Sequence, residues 1–169
     1  WRLTNDPYKI WVSEIMLQQT QVTTVIPFYN NWIQKFPTLN DVANASDDDL
    51  FKYWEGLGYY NRVNNFRVAC NEVIKKYNGK VPSEKVELMQ LKGIGDYTSS
   101  AIASIAFNKK NYVIDGNVKR VFLRIFNSEP RNSENLFFTK RNNDLAEALM
   151  EFGALICRPK EPKCNECNI

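Results

Sequence analysis

Apolar residues recur along most of this chain at spacings of three and four, the period of a helix with one buried face. The clearest run is Asn61 to Tyr77, where Val63, Phe66, Ala69, Val73 and Ile74 fall near helical spacing and Gly79 marks the stop. Val118, Val121, Phe122 and Ile125 make a second stripe in the segment Val118 to Phe126. Asp6-Pro7 predicts a capped start for a segment running through Thr20, because aspartate accepts from free N–H groups and proline fits a first turn. Further helices are predicted over Val22 to Phe36, Leu39 to Asn44, Asp47 to Trp54, Ser83 to Leu91, Tyr97 to Phe107 and Asp144 to Ile156. Only Asn111 to Ile114 has strand character, and four residues do not make a sheet. The polar connection from Asn127 to Asn143 reads as a long loop or one short helix, and no internal repeat is visible. The pattern defines an all-α fold.

The 169 residues are 44% apolar and 13% aromatic, enough for one good core or for two small lobes sharing one. No apolar run reaches the ~18 to 20 residues of a membrane span and no signal peptide opens the chain, so a soluble, intracellular setting is expected. The chain opens on Trp1 rather than Met and stops two residues past a cysteine, which reads as a piece of a longer protein. A net charge of +3 permits nucleic-acid binding without demanding it. There is no histidine. That removes the commonest general base, the triads that depend on it and most zinc chemistry, and leaves acid–base work to carboxylates, lysines or tyrosines.

In LKGIGDYTSSAIASIAF, Gly93 and Gly95 allow a tight turn with unobstructed backbone N–H groups, and the next helix offers its own unpaired N–H groups and positive dipole end. Such a turn suits a phosphate; it equally suits a plain helical corner with Asp96 capping the second helix. Thr98 replaces the third glycine of a dinucleotide fingerprint, and the Gly-Lys-Ser/Thr of a P-loop is missing. Glu14 lies four residues after Ile10 and three before Leu17, on their apolar face, where desolvation favours a neutral acid. A glutamate at the stripe's edge, reaching solvent or capping a neighbour, fits the same spacing. Asp115 in VIDGNVKR precedes a helix whose N–H groups and dipole favour the ionised form, as they do for any capping aspartate. Two carboxylates driven apart in this way are what acid-plus-electrostatic catalysis requires. Cys157, Cys164 and Cys167 follow a C-x6-C-x2-C spacing that points to metal rather than disulfides in an intracellular protein, and suits an iron–sulfur site short of one ligand better than zinc. Free thiols are the other reading, and Cys70, within an apolar stripe, reads as core.

Taken in order, WVSEIMLQQTQV, GLGYYNRVNNF, LKGIGDYTSSAI, VIDGNVKR, EALMEFGALIC and the cysteine spacing resemble the helix–hairpin–helix DNA glycosylase superfamily, and within it the adenine-specific branch, from Trp1 to Cys167. The resemblance implies two helical lobes with the active site in the cleft between them. Residues 7–113 would form a six-helix lobe carrying the hairpin, and residues 1–6 with 114–169 an iron–sulfur lobe cut short; a C-terminal domain reading 8-oxoguanine would lie outside this chain. The implied activity is base-excision repair by a monomer: hydrolysis of the N-glycosidic bond of adenine mispaired with 8-oxoguanine or guanine in duplex DNA. Glu14 would protonate N7 of the extruded adenine and Asp115 stabilise the sugar cation, with water or a transient bond to Asp115 completing the substitution.

Bifunctional relatives carry a lysine after the hairpin where this chain has Tyr97, so no efficient lyase step is implied. Tyr97 and Asn117 would support Asp115 and the lesion strand. Gln19, Thr20 and Tyr59 match positions at the opened base stack, Gly93 and Gly95 hinge the hairpin on the phosphate backbone, Glu147 matches an adenine contact, and Arg62 and Arg2 match pocket or backbone contacts. Cys157, Cys164 and Cys167 would hold a [4Fe–4S] cluster completed by a cysteine beyond Ile169. Competing implications are an endonuclease III-like glycosylase acting on a damaged pyrimidine or mismatched thymine, a non-catalytic hairpin DNA-binding module, and an iron–sulfur electron carrier. The expected location is cytoplasm and nucleoid, or nucleus or mitochondrion in a eukaryote.

Overall fold

The computed structural model describes residues 3–132 and 139–169, and their regular structure is entirely helical. Nine helices follow one another in this part of the chain: α1 Pro7–Leu17, α2 Val22–Lys35, α3 Leu39–Asn44, α4 Asp47–Trp54, α5 Asn61–Tyr77, α6 Lys85–Leu88, α7 Asp96–Phe107, α8 Gly116–Phe126 and α9 Asn142–Leu155. Single 3₁₀ turns occupy Pro130–Asn132 and Cys164–Glu166. None of the helices is long and apolar enough to cross a membrane.

Local signals place most of the ends. Asp6 caps α1 by accepting from the Lys9 N–H at 3.0 Å, and Thr38 with Asp41 forms a reciprocal capping box on α3. Asn78 in the left-handed region and Gly79 at φ 74° end α5. Two predicted helices are shorter than expected. The first stops at Leu17 rather than Thr20, because Gln19 turns the backbone to φ 59°. The segment before the glycine turn is helical only from Lys85 to Leu88, after which the chain winds into the hairpin. Residues 111–114 belong to no helix, and no strand occurs among the described residues.

One contiguous core binds the helices together. Its centre is aromatic: Trp11 meets Phe66 edge-on at 4.9 Å and Trp32 meets Trp54 edge-on at 5.4 Å. The Tyr8 hydroxyl donates to the Phe36 carbonyl at 2.5 Å and accepts from the Trp32 indole N–H at 3.2 Å. Cys70 is fully buried here and its thiol is pushed well up by burial, as expected of a core residue. Helix α7 is the hub, packed against α1, α6 and α9, while α9 in turn packs on α8. The core continues through Val113, Val118, Phe122, Ala146 and Met150, so α8 and α9 share it with the helices before them. This arrangement brings the starts of α7 and α8, where the candidate chemistry lies, onto one packed frame.

Candidate active site and nucleic-acid interface

Glu14 is 2% exposed on the inner face of α1, in agreement with its apolar neighbours in sequence. At the exposed end of that helix, Gln19 adopts φ 59°, and across from it Tyr59, just before α5, adopts φ 48° and is 61% exposed. Gln18, Gln19, Tyr59, Asn61 and Arg62 line a pocket of about 200 Å³ between them. Arg62 is only 9% exposed. Its Nη1 donates to the carbonyls of Ile15, Met16 and Gln18 at 3.0, 3.0 and 2.6 Å, and its Nη2 to those of Leu57 and Gly58 at 3.0 and 3.1 Å. Thr20 Oγ1 stands 3.5 Å from Nη2, and Gln18 reaches Thr98 on α7 at 3.3 Å. Arg62 thus lines the pocket with both terminal nitrogens taken up by backbone carbonyls. Burial lowers its pKa from the ordinary arginine value, with Tyr59 acting in the opposite direction. Arg2 lies outside the described residues.

The hairpin runs from α6 to α7. Leu91 and Ile94 point inward and are buried, leaving Lys92, Gly93 and Gly95 at the surface. The two glycines play different parts. Gly93 sits at φ 79°, and a Cβ there would lie 2.8 Å from Asn65 Cβ, so only glycine fits. Gly95 is extended, and a Cβ on it would meet nothing within 4 Å. The expectation that both act as conformational hinges holds for Gly93 alone; Gly95 is the cap residue of α7, with bare backbone facing outward. The Lys92 N–H donates to Glu72 on α5 at 3.0 Å, tying the turn to that helix. Asp96 is in the first turn of α7 rather than at its cap, and pairs with Lys85 at 2.6 Å and Arg131 at 3.4 Å. The Lys85 hydrogen bond holds its carboxyl below the usual range, so its charge beside the glycines is matched by two cations.

Asp115 caps α8. Its Oδ1 accepts from the Val118 N–H at 2.7 Å and its Oδ2 from Asn117 Nδ2 at 2.8 Å, which orients both carboxylate oxygens. Asn117 Oδ1 accepts in turn from Arg120 Nη2 at 2.8 Å. Arg120 also donates to the carbonyls of Gly153 at 2.5 Å and Cys157 at 2.8 Å, joining α8, α9 and the cysteine loop. Gly153 is what allows this approach: a Cβ there would lie 2.6 Å from Asn117 Cβ and 3.1 Å from its backbone. Tyr97, half-buried at the start of α7, points its hydroxyl at Met150 Sδ on α9, 3.4 Å away. Glu147 lies one turn before Met150 and is half-buried. Arg120, Gly153 and Met150 were not singled out from sequence. A glycine inside a strong helical pattern was the one available signal, since it marks close approach of another element.

Cys157, Cys164 and Cys167 share the loop after α9, with Cys164 exposed and the other two half-buried. Arg124 anchors the loop through the Arg158 and Pro159 carbonyls at 2.7 and 3.1 Å, and its N–H approaches Cys157 Sγ at 3.6 Å. Among the described residues no three His, Cys, Asp or Glu side chains converge in a way that would hold a metal. The donor chemistry fits an iron–sulfur cluster in kind and falls one thiolate short in number.

A helical frame, a glycine hairpin and a capped, amide-supported aspartate together define the class, and the chain belongs to the HhH-GPD superfamily of base excision DNA repair proteins, matched over residues 12–146. Within it, the chain is 39% identical over 177 residues to the adenine DNA glycosylase of Buchnera aphidicola subsp. Baizongia pistaciae, covering 99% of this chain and 50% of that one. To the adenine DNA glycosylase of Rattus norvegicus it is 43% identical over 180 residues, covering 99% of this chain and 35% of the other. The chain thus spans half the length, or less, of these curated relatives. A solved thermostable thymine-DNA glycosylase superposes with a TM-score of 0.88 at 31% identity, over 99% of this chain and 83% of its own.

Proposed function

We propose that this chain is the catalytic part of an adenine DNA glycosylase acting on adenine mispaired with 8-oxoguanine or guanine. What carries the reading is likeness to adenine DNA glycosylases across 99% of the chain, in a structure that keeps Glu14 buried and Asp115 oriented by two donors. A base inside a duplex is out of reach, so the adenine is extruded first, at a cost of a few kcal/mol. Gln19, Thr20 and Tyr59, around the Arg62 pocket, occupy the opened stack, while the outward N–H groups at Gly93 and Gly95 with Lys92 grip phosphates.

Glu14 gives its proton to adenine N7, a role worth roughly 10² to 10⁴ in rate for a well-placed acid. The C1′–N9 bond breaks, its electron pair leaves with the purine, and positive charge grows on the sugar. Ionised Asp115, fixed by Val118 and Asn117, stabilises that charge. Water adds to C1′ and loses its proton to a carboxylate. Tyr97 has no amine with which to form a Schiff base, so the product is an abasic site in an uncut strand. Cys157, Cys164 and Cys167 would hold three irons of a [4Fe–4S] cluster in the whole protein, with one further cysteine, and the cluster would supply a cross-link to the loop that Arg120 and Arg124 dock on α8. The lobe division at residue 113 belongs to the same reading.

The test is to incubate the protein with a duplex bearing adenine opposite 8-oxoguanine and look for alkali-labile sites at the adenine. Abasic sites without strand cutting before alkali are expected; an untouched adenine overturns the assignment. The fit to a thymine-DNA glycosylase supports a second reading, and a duplex with thymine opposite guanine, run in parallel, decides between them.

A further inference from the structure

Gln19 and Tyr59 share an unusual property. Neither is glycine, yet both hold the left-handed backbone region, at φ 59° and 48°. Such a conformation is strained for a residue with a Cβ and persists only where the surroundings impose it. The Arg62 guanidinium is the common element of those surroundings. Its Nη1 takes the Ile15, Met16 and Gln18 carbonyls at the end of α1, immediately before Gln19. Its Nη2 takes the Leu57 and Gly58 carbonyls, immediately before Tyr59. The Arg62 guanidinium carbon also lies 5.4 Å from the Tyr59 ring centroid and 5.3 Å from that of Trp54. One rigid fork thus gathers carbonyls at the end of α1 and pins the facing turn.

We infer that Arg62 is a positioning residue: it fixes the gap between Gln19 and Tyr59 and thereby sets the preference for mismatched over matched duplex, without itself touching DNA. The inference rests on the base-excision reading, in which those two residues meet the opened stack. At 9% exposure, with both terminal nitrogens engaged, Arg62 cannot serve as a phosphate contact. Lysine cannot replace it, because an ammonium is a point donor and cannot reach both sets of carbonyls in one plane.

Arg62→Lys in the full chain is the test, read three ways. The ratio of affinities for mismatched and matched duplex should fall at least tenfold, while matched-duplex affinity, set at the hairpin, changes less than twofold. Adding Tyr59→Ala should cause no further fall in that ratio, since Tyr59 is already released. Hydrogen exchange at the Gln18, Thr20 and Leu57 amides, which bond to Ile15, Leu17 and Trp54 within the clamped turns, should speed up about tenfold with α7 unchanged. An unaltered ratio, or a parallel loss on both duplexes together with a lowered Tm, overturns the inference. If wild type shows no mismatch preference, the base-excision reading fails, and the exchange arm still decides whether Arg62 fixes the two residues. Should Arg62→Lys not fold, those three amides in wild type should open as one cooperative unit, and unrelated opening rates overturn the clamp.

Discussion

Asn117 donates its side-chain amide to one oxygen of Asp115 at 2.8 Å, while the other oxygen is held by the helix that Asp115 caps. In the proposed mechanism, capping and catalysis draw on the same carboxylate, and a substitution can separate them. Asparagine caps helices about as well as aspartate but carries no charge. Asp115→Asn should keep Tm within a few degrees while single-turnover excision drops by a factor of 10³ or more. Excision within tenfold of wild type would remove Asp115 from the chemistry.

Glu14 is nearly sealed from solvent, so a near-isosteric change is the informative one. Glu14→Gln should leave folding and duplex affinity largely intact and all but abolish excision. Retained excision, measured under single turnover, would assign the proton to another donor.

The two hairpin glycines should respond differently. Gly93→Ala meets Asn65 Cβ at 2.8 Å on a backbone at φ 79°, and should destabilise the protein by ~1 to 3 kcal/mol. Gly95→Ala has open space around it and should alter stability by less than ~0.5 kcal/mol, while weakening affinity for every duplex alike. Denaturant melts and salt-controlled binding separate the two, and equal destabilisation would show that the hairpin backbone differs from the one described.

Gly153→Ala places a methyl 2.6 Å from Asn117 Cβ. Either α9 or the start of α8 must shift, so excision should fall ten- to a hundredfold, with a stability loss of ~1 to 3 kcal/mol. Arg120→Ala should impair excision similarly, since Asn117 loses the donor that orients it. Normal excision rates in both would make the contacts between α8 and α9 purely architectural.

Much of this was legible in the chain. Helical periodicity and capping residues gave the all-α class and most boundaries, because both are local effects written within a few residues of where they act. Glu14 was visible as an acid on an apolar face, and Asp115 as a cap. The rest depended on contacts across long sequence gaps. Arg62, in NRVNNF, looks like any surface arginine, and its use of α1 carbonyls more than 40 positions away leaves no local trace. Asp96 looked like a cap, because one position separates the cap from the first turn and only the backbone angles of Gly95 decide it. Gly95 looked like a hinge because a glycine's type does not reveal its φ.

Helix α5 joins the pocket to the hairpin. Near its start Arg62 holds the pocket, and ten residues later Glu72 holds the hairpin through the Lys92 N–H. Those ten residues of continuous helix correspond to about 15 Å of rise. A helix does not stretch, so the hairpin and the pocket are mounted on a caliper of set width. Under the proposed function, the backbone grip and the opened stack must meet the protein at that fixed separation for a base to be interrogated. An insertion of one residue within α5 would turn the two ends by about 100° relative to each other and put the gauge out of register, even with every contacting side chain still present.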